Sequence, residues 1–231
     1  MKKVLITGAT SGIGYATLKD LVKKYEVIFT YCHNEIKALE IEDEYHIKGY
    51  HLDLENKESI EALVSNIDSL DVLINNAAVA LDNAFEDKTY EEFNRTIQIN
   101  LTGTYYLTKL LSKKMNKGGN ILFISSTNGI DTPYIESIDY DASKAGVLSL
   151  MHNFASVLAP IRVNAIAPGW VDTEMNACLG DKFRKREEEK ILLKRFASPK
   201  EISKVIDFVI SDDASYINNT VIRVDGGVDN G

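Results

Sequence analysis

Seven short apolar runs, separated by longer amphipathic stretches, constrain this chain more than any other feature. They are Lys3–Thr7 (KVLIT), Glu26–Tyr31 (EVIFTY), Ile47–Asp53 (IKGYHLD), Asp71–Ala77 (DVLINNA), Asn120–Ser126 (NILFISS), Ile161–Gly169 (IRVNAIAPG) and Thr220–Val224 (TVIRV). Most are rich in β-branched residues and nearly continuous in apolar character, as strands buried on both faces of a parallel sheet are. Between them lie helical patterns such as IGYATLKDLVKKY, SIEALVSNI and SKAGVLSLMHNFASVLA, and one long pattern from Tyr90 to Met115. Strand–helix alternation along the whole chain implies right-handed crossovers and a doubly wound sheet. No linker rich in Pro, Gly or Ser divides the chain, and no internal repeat is visible.

The expected fold is therefore α/β: a single Rossmann-type domain over residues 1–231, with a parallel sheet of about seven strands and helices on both faces. A net charge of −8 argues against nucleic acid as a general partner. No apolar run approaches membrane-spanning length. The opening MKKVLIT stops being apolar at Thr7-Gly8, with no cleavage site of small residues after it, so a cytoplasmic protein is expected. Cys32 and Cys178 form no close-spaced motif and are read as reduced thiols. His33, His46, His51 and His152 lack ligand spacing, so no metal is expected.

TGATSGIG (Thr7–Gly14) closes the first strand and opens the first helix. Gly8, Gly12 and Gly14 permit a tight turn and close approach of a phosphate, and the positive helix end favours an anion. Open α/β sheets bind nucleotides at such a junction. At the end of the second strand the chain reads TYCHN (Thr30–Asn34), without the acidic residue that grips the ribose of NAD. With no carboxylate to repel a 2′-phosphate, NADP (as NADPH) is favoured, and NAD stays open.

Four features occur in order: the glycine turn, NNAA (Asn75–Ala78), ISS (Ile124–Ser126), and Tyr140 four residues before Lys144. With QINLTG (Gln98–Gly103), APGWVDT (Ala167–Thr173) and the ending SYINNTVIRVDGG, they resemble the short-chain dehydrogenase/reductase family over essentially the whole chain. Within it, the ending and the compact length are most similar to 3-oxoacyl-[acyl-carrier-protein] reductases.

The resemblance implies that Tyr140 supplies a proton to the oxygen of a reduced carbonyl, with Lys144 stabilising the phenolate and holding the nicotinamide ribose. It implies that Ser126 orients the substrate carbonyl and that Asn100 holds a water relaying protons toward Lys144. Cofactor contacts are expected from Gly8, Thr10, Ser11, Gly12, Ile13 and Gly14, and from Tyr31, Cys32 and His33 at the second strand's end. Asp53 and Leu54 are expected at the adenine; Asn76, Ala77 and Ala78 at its ribose; Pro168, Gly169, Val171 and Thr173 at the nicotinamide. Residues 173–198 are read as a substrate lid, and the resemblance implies a homotetramer or homodimer.

The favoured activity is NADP-dependent reduction of a carbonyl to a secondary alcohol, the substrate a small-molecule or carrier-bound acyl group, with 3-oxoacyl thioesters first. The alternatives are a dehydrogenase of a sugar, steroid or other small alcohol, and a regulator that senses NADP without turnover. Lys113, Lys114 and Lys117 are a candidate patch for an acidic carrier, set against the reading that they are a solvated helix face.

Overall fold

Each predicted apolar run becomes a strand of one sheet in the computed structural model, which describes residues 1–177 and 179–228. The strands are β1 (Lys3–Ile6), β2 (Glu26–Tyr31), β3 (Lys48–His51), β4 (Leu70–Asn75), β5 (Met115–Ile124), β6 (Arg162–Pro168) and β7 (Val221–Val224). Their order is β3-β2-β1-β4-β5-β6-β7, and every neighbouring pair is parallel. The helices are α1 (Gly12–Leu21), α2 (Glu35–Tyr45), α3 (Lys57–Ser65), α4 (Tyr90–Ile97), α5 (Thr104–Leu111), α6 (Ile138–Val157), α7 (Asp181–Lys190) and α8 (Pro199–Ile210). Cys178 lies outside the described residues, and Cys32 is a free thiol.

The near-continuous apolar strands follow from a sheet covered on both sides. Side chains alternate along a strand, so Val4 and Ile6 enter one core with α1, α2 and α8, while Leu5 enters the other with α3, α5 and α6. Burying each such side chain contributes about 1.5–3 kcal/mol. A polar residue on either face would forfeit that.

Two elements differ from the sequence reading. β5 begins at Met115 rather than near Asn120, because Leu70 pairs with Met115 before the register shifts to Val72↔Asn120. The long helix from Tyr90 is interrupted by a π-helical turn at Gln98–Gly103. There the helix lies against the loop after β3, where a Cβ on Gly103 would stand 2.2 Å from the Leu54 carbonyl oxygen. Only glycine permits that approach.

Of the basic patch, Lys113 and Lys117 are exposed and Lys114 is engaged. Lys114 Nζ donates to the carbonyls of Val64 (2.7 Å) and Ile67 (2.5 Å) past the end of α3. It closes a helix end, and it sits at the start of β5, across the sheet from the strand ends that form the site described next.

Candidate active site

Strand order reverses between β1 and β4, and a crevice outside their carboxyl ends is the expected place for a ligand. The turn after β1 holds Gly8 at φ +65° and Gly12 at φ +51°, which favour glycine. A Cβ on Gly14 would lie 2.4 Å from the Gly8 carbonyl oxygen and 2.6 Å from Asn76 Nδ2. That amide donates to the carbonyls of Thr7 (2.9 Å) and Gly8 (3.0 Å). The Thr7 hydroxyl in turn accepts from the backbone N–H groups of Asn76 (2.9 Å) and Ala77 (3.0 Å). The residues after β4 thus stitch that strand end to the glycine turn.

The crevice is a cavity of about 410 Å³. It is lined by Gly8, Thr10, Ser11, Gly12, Ile13, Gly14, Cys32, His33, Asp53, Leu54, Asn76, Ala77, Ala78, Ser126, Tyr140, Lys144, Pro168, Gly169, Val171 and Thr173. Two expected residues do not line it. Tyr31 points to the other side of β2 from Cys32, as strand alternation requires, and its ring meets His51 edge-on at 5.9 Å. Asn100 stands behind the wall. Its Oδ1 accepts from Val79 N, and its Nδ2 donates to the Val79 carbonyl, both at 2.8 Å, and to Ser143 Oγ at 3.1 Å. The Asn100 side chain thus ties its helix to Val79, which lines the cavity.

Sequence reasoning missed Val79 as a lining residue and read Glu174–Asn176 only as part of the lid; Asn34, read with His33 as a possible hydrogen-bond donor after the second strand, lines the cavity as well. Asn34 also caps α2, its side chain accepting from Lys37 N at 3.3 Å, which places that helix's positive end at the crevice. Nothing local marks Glu174, whose carboxylate accepts from Gly12 N at 3.0 Å. The glycine turn thus already holds an anionic oxygen, which is a direct sign that its donors suit one.

At the other end of the cavity, Tyr140 and Lys144 project from the first turns of α6 beside Ser126, which follows β5. Lys144 is buried, and its Nζ donates to the Ile124 carbonyl at 2.8 Å and stands 5.3 Å from the centre of the Tyr140 ring. Burial lowers its pKa to about 8. Burial pushes the Tyr140 hydroxyl up to about 12, against a hydrogen bond with Ser126 that pulls it down. Burial dominates, Asp141 and Asp82 add to the rise, and Lys144 contributes no lowering in this geometry. At pH 7 Tyr140 is a protonated donor and Lys144 is mostly charged.

The start of α6 is anchored by an ion pair. Lys88 and Asp139 meet at 3.1 Å, with side chains 5% and 0% exposed. Asp139 also accepts from Thr96 Oγ1 at 2.7 Å, and Lys88 donates to the Leu81 carbonyl. The neighbouring Ser137 hydroxyl donates to Asp82. The segment after β4 is thereby tied to the residue before Tyr140.

A second cavity adjoins the first at Ser126, Tyr140, Gly169, Met175 and Asn176, and extends to Tyr134, Trp170, Arg186 and Lys190. The expected lid forms its far wall. α7 is held by Phe183, whose ring packs edge-on against Tyr134 (5.7 Å) and Trp170 (5.6 Å).

The model of the family described as Enoyl-(Acyl carrier protein) reductase matches residues 8–229. The chain is 36% identical to the 3-oxoacyl-[acyl-carrier-protein] reductase FabG of Aquifex aeolicus, covering 98% of this chain and 97% of that one. It is 35% identical to the protein of the same name from Thermotoga maritima, again over 98% and 97%. Among solved structures, BdcA in complex with NADPH is 26% identical with a TM-score of 0.93, over 98% of this chain and 94% of that one. A short-chain dehydrogenase/reductase from Serratia marcescens is 27% identical with a TM-score of 0.90, over 98% and 97%.

Proposed function

The chain belongs to the short-chain dehydrogenase/reductase family, and on that premise we propose that it is an NADPH-dependent reductase of 3-oxoacyl thioesters. The observation that carries this is the convergence of Ser126, Tyr140 and Lys144 on the cavity whose other end is the glycine turn. The relatives' names supply the substrate class, and the NADPH complex of a similar fold supports the cofactor.

The residues suit the group. The turn donors suit an anion, since Gly12 N already donates to Glu174, and the residues after β2 that line the cavity, Cys32, His33 and Asn34, carry no carboxylate, although Asp53 and Glu55 line it from beyond β3. When bound, the nicotinamide supplies a hydride. Ser126 and Tyr140 then hold the substrate oxygen, and Tyr140 gives it the proton that a nascent alkoxide requires. Lys144 stabilises the phenolate left behind. Asn100 keeps Val79 and the wall around it in place, and residues 173–198 close over the substrate as a lid.

The decisive measurement follows consumption of NADPH and NADH with an acetoacetyl thioester and, separately, a crotonyl thioester. The matching family model is described by enoyl reduction and the curated relatives by 3-oxoacyl reduction, so the pair of substrates separates the two. Faster NADPH consumption with the acetoacetyl thioester is expected. Turnover of only the crotonyl substrate, or of neither, would overturn the reading. Glu174→Ala tests cofactor placement. Removing an anion from the positive end of α1 changes binding by about 0.3–1 kcal/mol, so NADPH should bind about 2- to 5-fold tighter, as read by its fluorescence.

A further inference from the structure

The lid helix carries a carboxylate where an apolar side chain is expected. Phe183, Glu187 and, just past the end of α7, Ile191 recur at intervals of four and share its inward face, which an amphipathic helix ordinarily keeps apolar. Phe183 and Ile191 follow that rule, the first packed on Tyr134 and Trp170 and the second 1% exposed. Glu187 breaks it. Its side chain is only 11% exposed and lines the second cavity, where Oε1 accepts from Arg186 Nε at 3.0 Å and from Lys190 Nζ at 2.9 Å. Both cations line the same cavity, so the triad presents a charged wall whose carboxylate is already paired. The rest of the lining agrees. Asp82 accepts from Ser137 Oγ, Asn128 Nδ2 donates to Asp141 Oδ1 at 2.6 Å, and Asp131 pairs with Arg223 at 2.7 Å. Among the described residues, no Leu, Ile or Phe lines this cavity.

We propose that Glu187, with Arg186 and Lys190, is a specificity determinant that restricts the enzyme to short 3-oxoacyl groups such as acetoacetyl. The inference rests on the reductase reading above. The second cavity, about 350 Å³, opens beside Ser126 and Tyr140, so an alkyl tail running on from the carbonyl held there enters it. A long tail would lie against the triad and strip water from it, and a hydrocarbon returns nothing to charges that lose their water. In an apolar pocket each further methylene raises affinity about fourfold. Against this wall that gain is cancelled.

The test compares acetoacetyl, 3-oxohexanoyl and 3-oxooctanoyl thioesters of N-acetylcysteamine, in the wild type and in the paired variant Glu187→Leu with Lys190→Leu. The pair removes one charge of each sign and leaves Arg186 over the Phe183 ring, 4.9 Å from its centre. Leucine matches Glu and Lys as a helix former. The readout is the ratio of kcat/KM for the eight-carbon substrate to that for the four-carbon one within each protein, so any general effect of the lid on turnover divides out. If that variant does not fold, Arg186→Leu with Glu187→Leu makes the same change from the other side of the triad.

The wild-type ratio is expected within about threefold of unity, where an apolar pocket would give more than about 100-fold. The paired variant should raise that ratio about tenfold or more, as an apolar wall restores the gain from each methylene. A wild-type ratio above about tenfold would overturn the proposal, since the tail would then already lie on apolar surface. A ratio that the variant leaves unchanged sinks it equally, because the tail then lies outside this cavity. If the wild type reduces no 3-oxoacyl thioester of any length, the reductase reading has failed instead, and the wall is tested by binding. Trp170, the chain's only tryptophan, lines the same cavity, so its fluorescence reports occupancy by the same thioesters with NADP⁺ present. The same two ratios are then expected in affinity, and a wild-type preference for the longer tail, or no gain in the variant, removes the triad from specificity.

Discussion

Tyr140→Phe is expected to lower turnover more than about 100-fold, the scale of general-acid catalysis, while NADPH binds nearly as in the wild type. Phenylalanine keeps the ring, so the packing at the start of α6 survives and only the proton donor is lost. Without it the alkoxide formed at the substrate oxygen must find its proton from water. Ser126 cannot take over, because its hydroxyl proton is as weakly acidic as the product's own. The pH dependence carries the sign. With Tyr140 pushed up to about 12 by burial and Lys144 drawn down to about 8, the tyrosine stays a donor across the neutral range. Lys144 loses its charge as pH rises through about 8. Reduction in the wild type should therefore hold below that point and decline above it, a limb that the phenylalanine variant should flatten. Retention of near-normal turnover would remove Tyr140 from the chemistry.

Lys88→Met should destabilise the fold by about 3–5 kcal/mol, the cost of leaving one partner of a buried ion pair uncompensated. For a chain of this length that corresponds to a fall in melting temperature of about 10 °C. The reason is the burial of Asp139, whose other contact is the Thr96 hydroxyl. Combining Lys88→Met with Asp139→Asn removes both charges and keeps an acceptor for Thr96, so the double variant should be more stable than Lys88→Met alone. Thermal unfolding followed by circular dichroism measures both. Strict additivity would mean that the pair is not coupled.

The strands and the glycine turn were legible because their causes are local. Burial on both faces writes an unbroken apolar run, and a left-handed turn writes glycine. Tyr31 was misplaced because a composition-level reading of TYCHN ignores that neighbours on a strand face opposite ways. The π-helical turn was hidden because its partners lie far away in sequence: Asn100 is held by Val79, and Gly103 by Leu54. Lys114 looked like part of a charged surface for the same reason, since the carbonyls that it closes belong to α3 and the residues just past it. The Asn128–Asp141 contact joins a loop to a helix across thirteen positions, and no periodicity announces such a pair.

On the proposed cofactor placement at the glycine turn, the contact between Glu174 and Gly12 turns cofactor capture into an exchange of anions rather than a simple addition. The arriving pyrophosphate must evict a carboxylate, and that carboxylate is followed directly by Met175 and Asn176, which wall both cavities. Eviction therefore disturbs the substrate side whether or not a substrate is present. Kinetically, this favours an ordered sequence in which the nucleotide enters first and the second ligand meets a chamber already reshaped by the first.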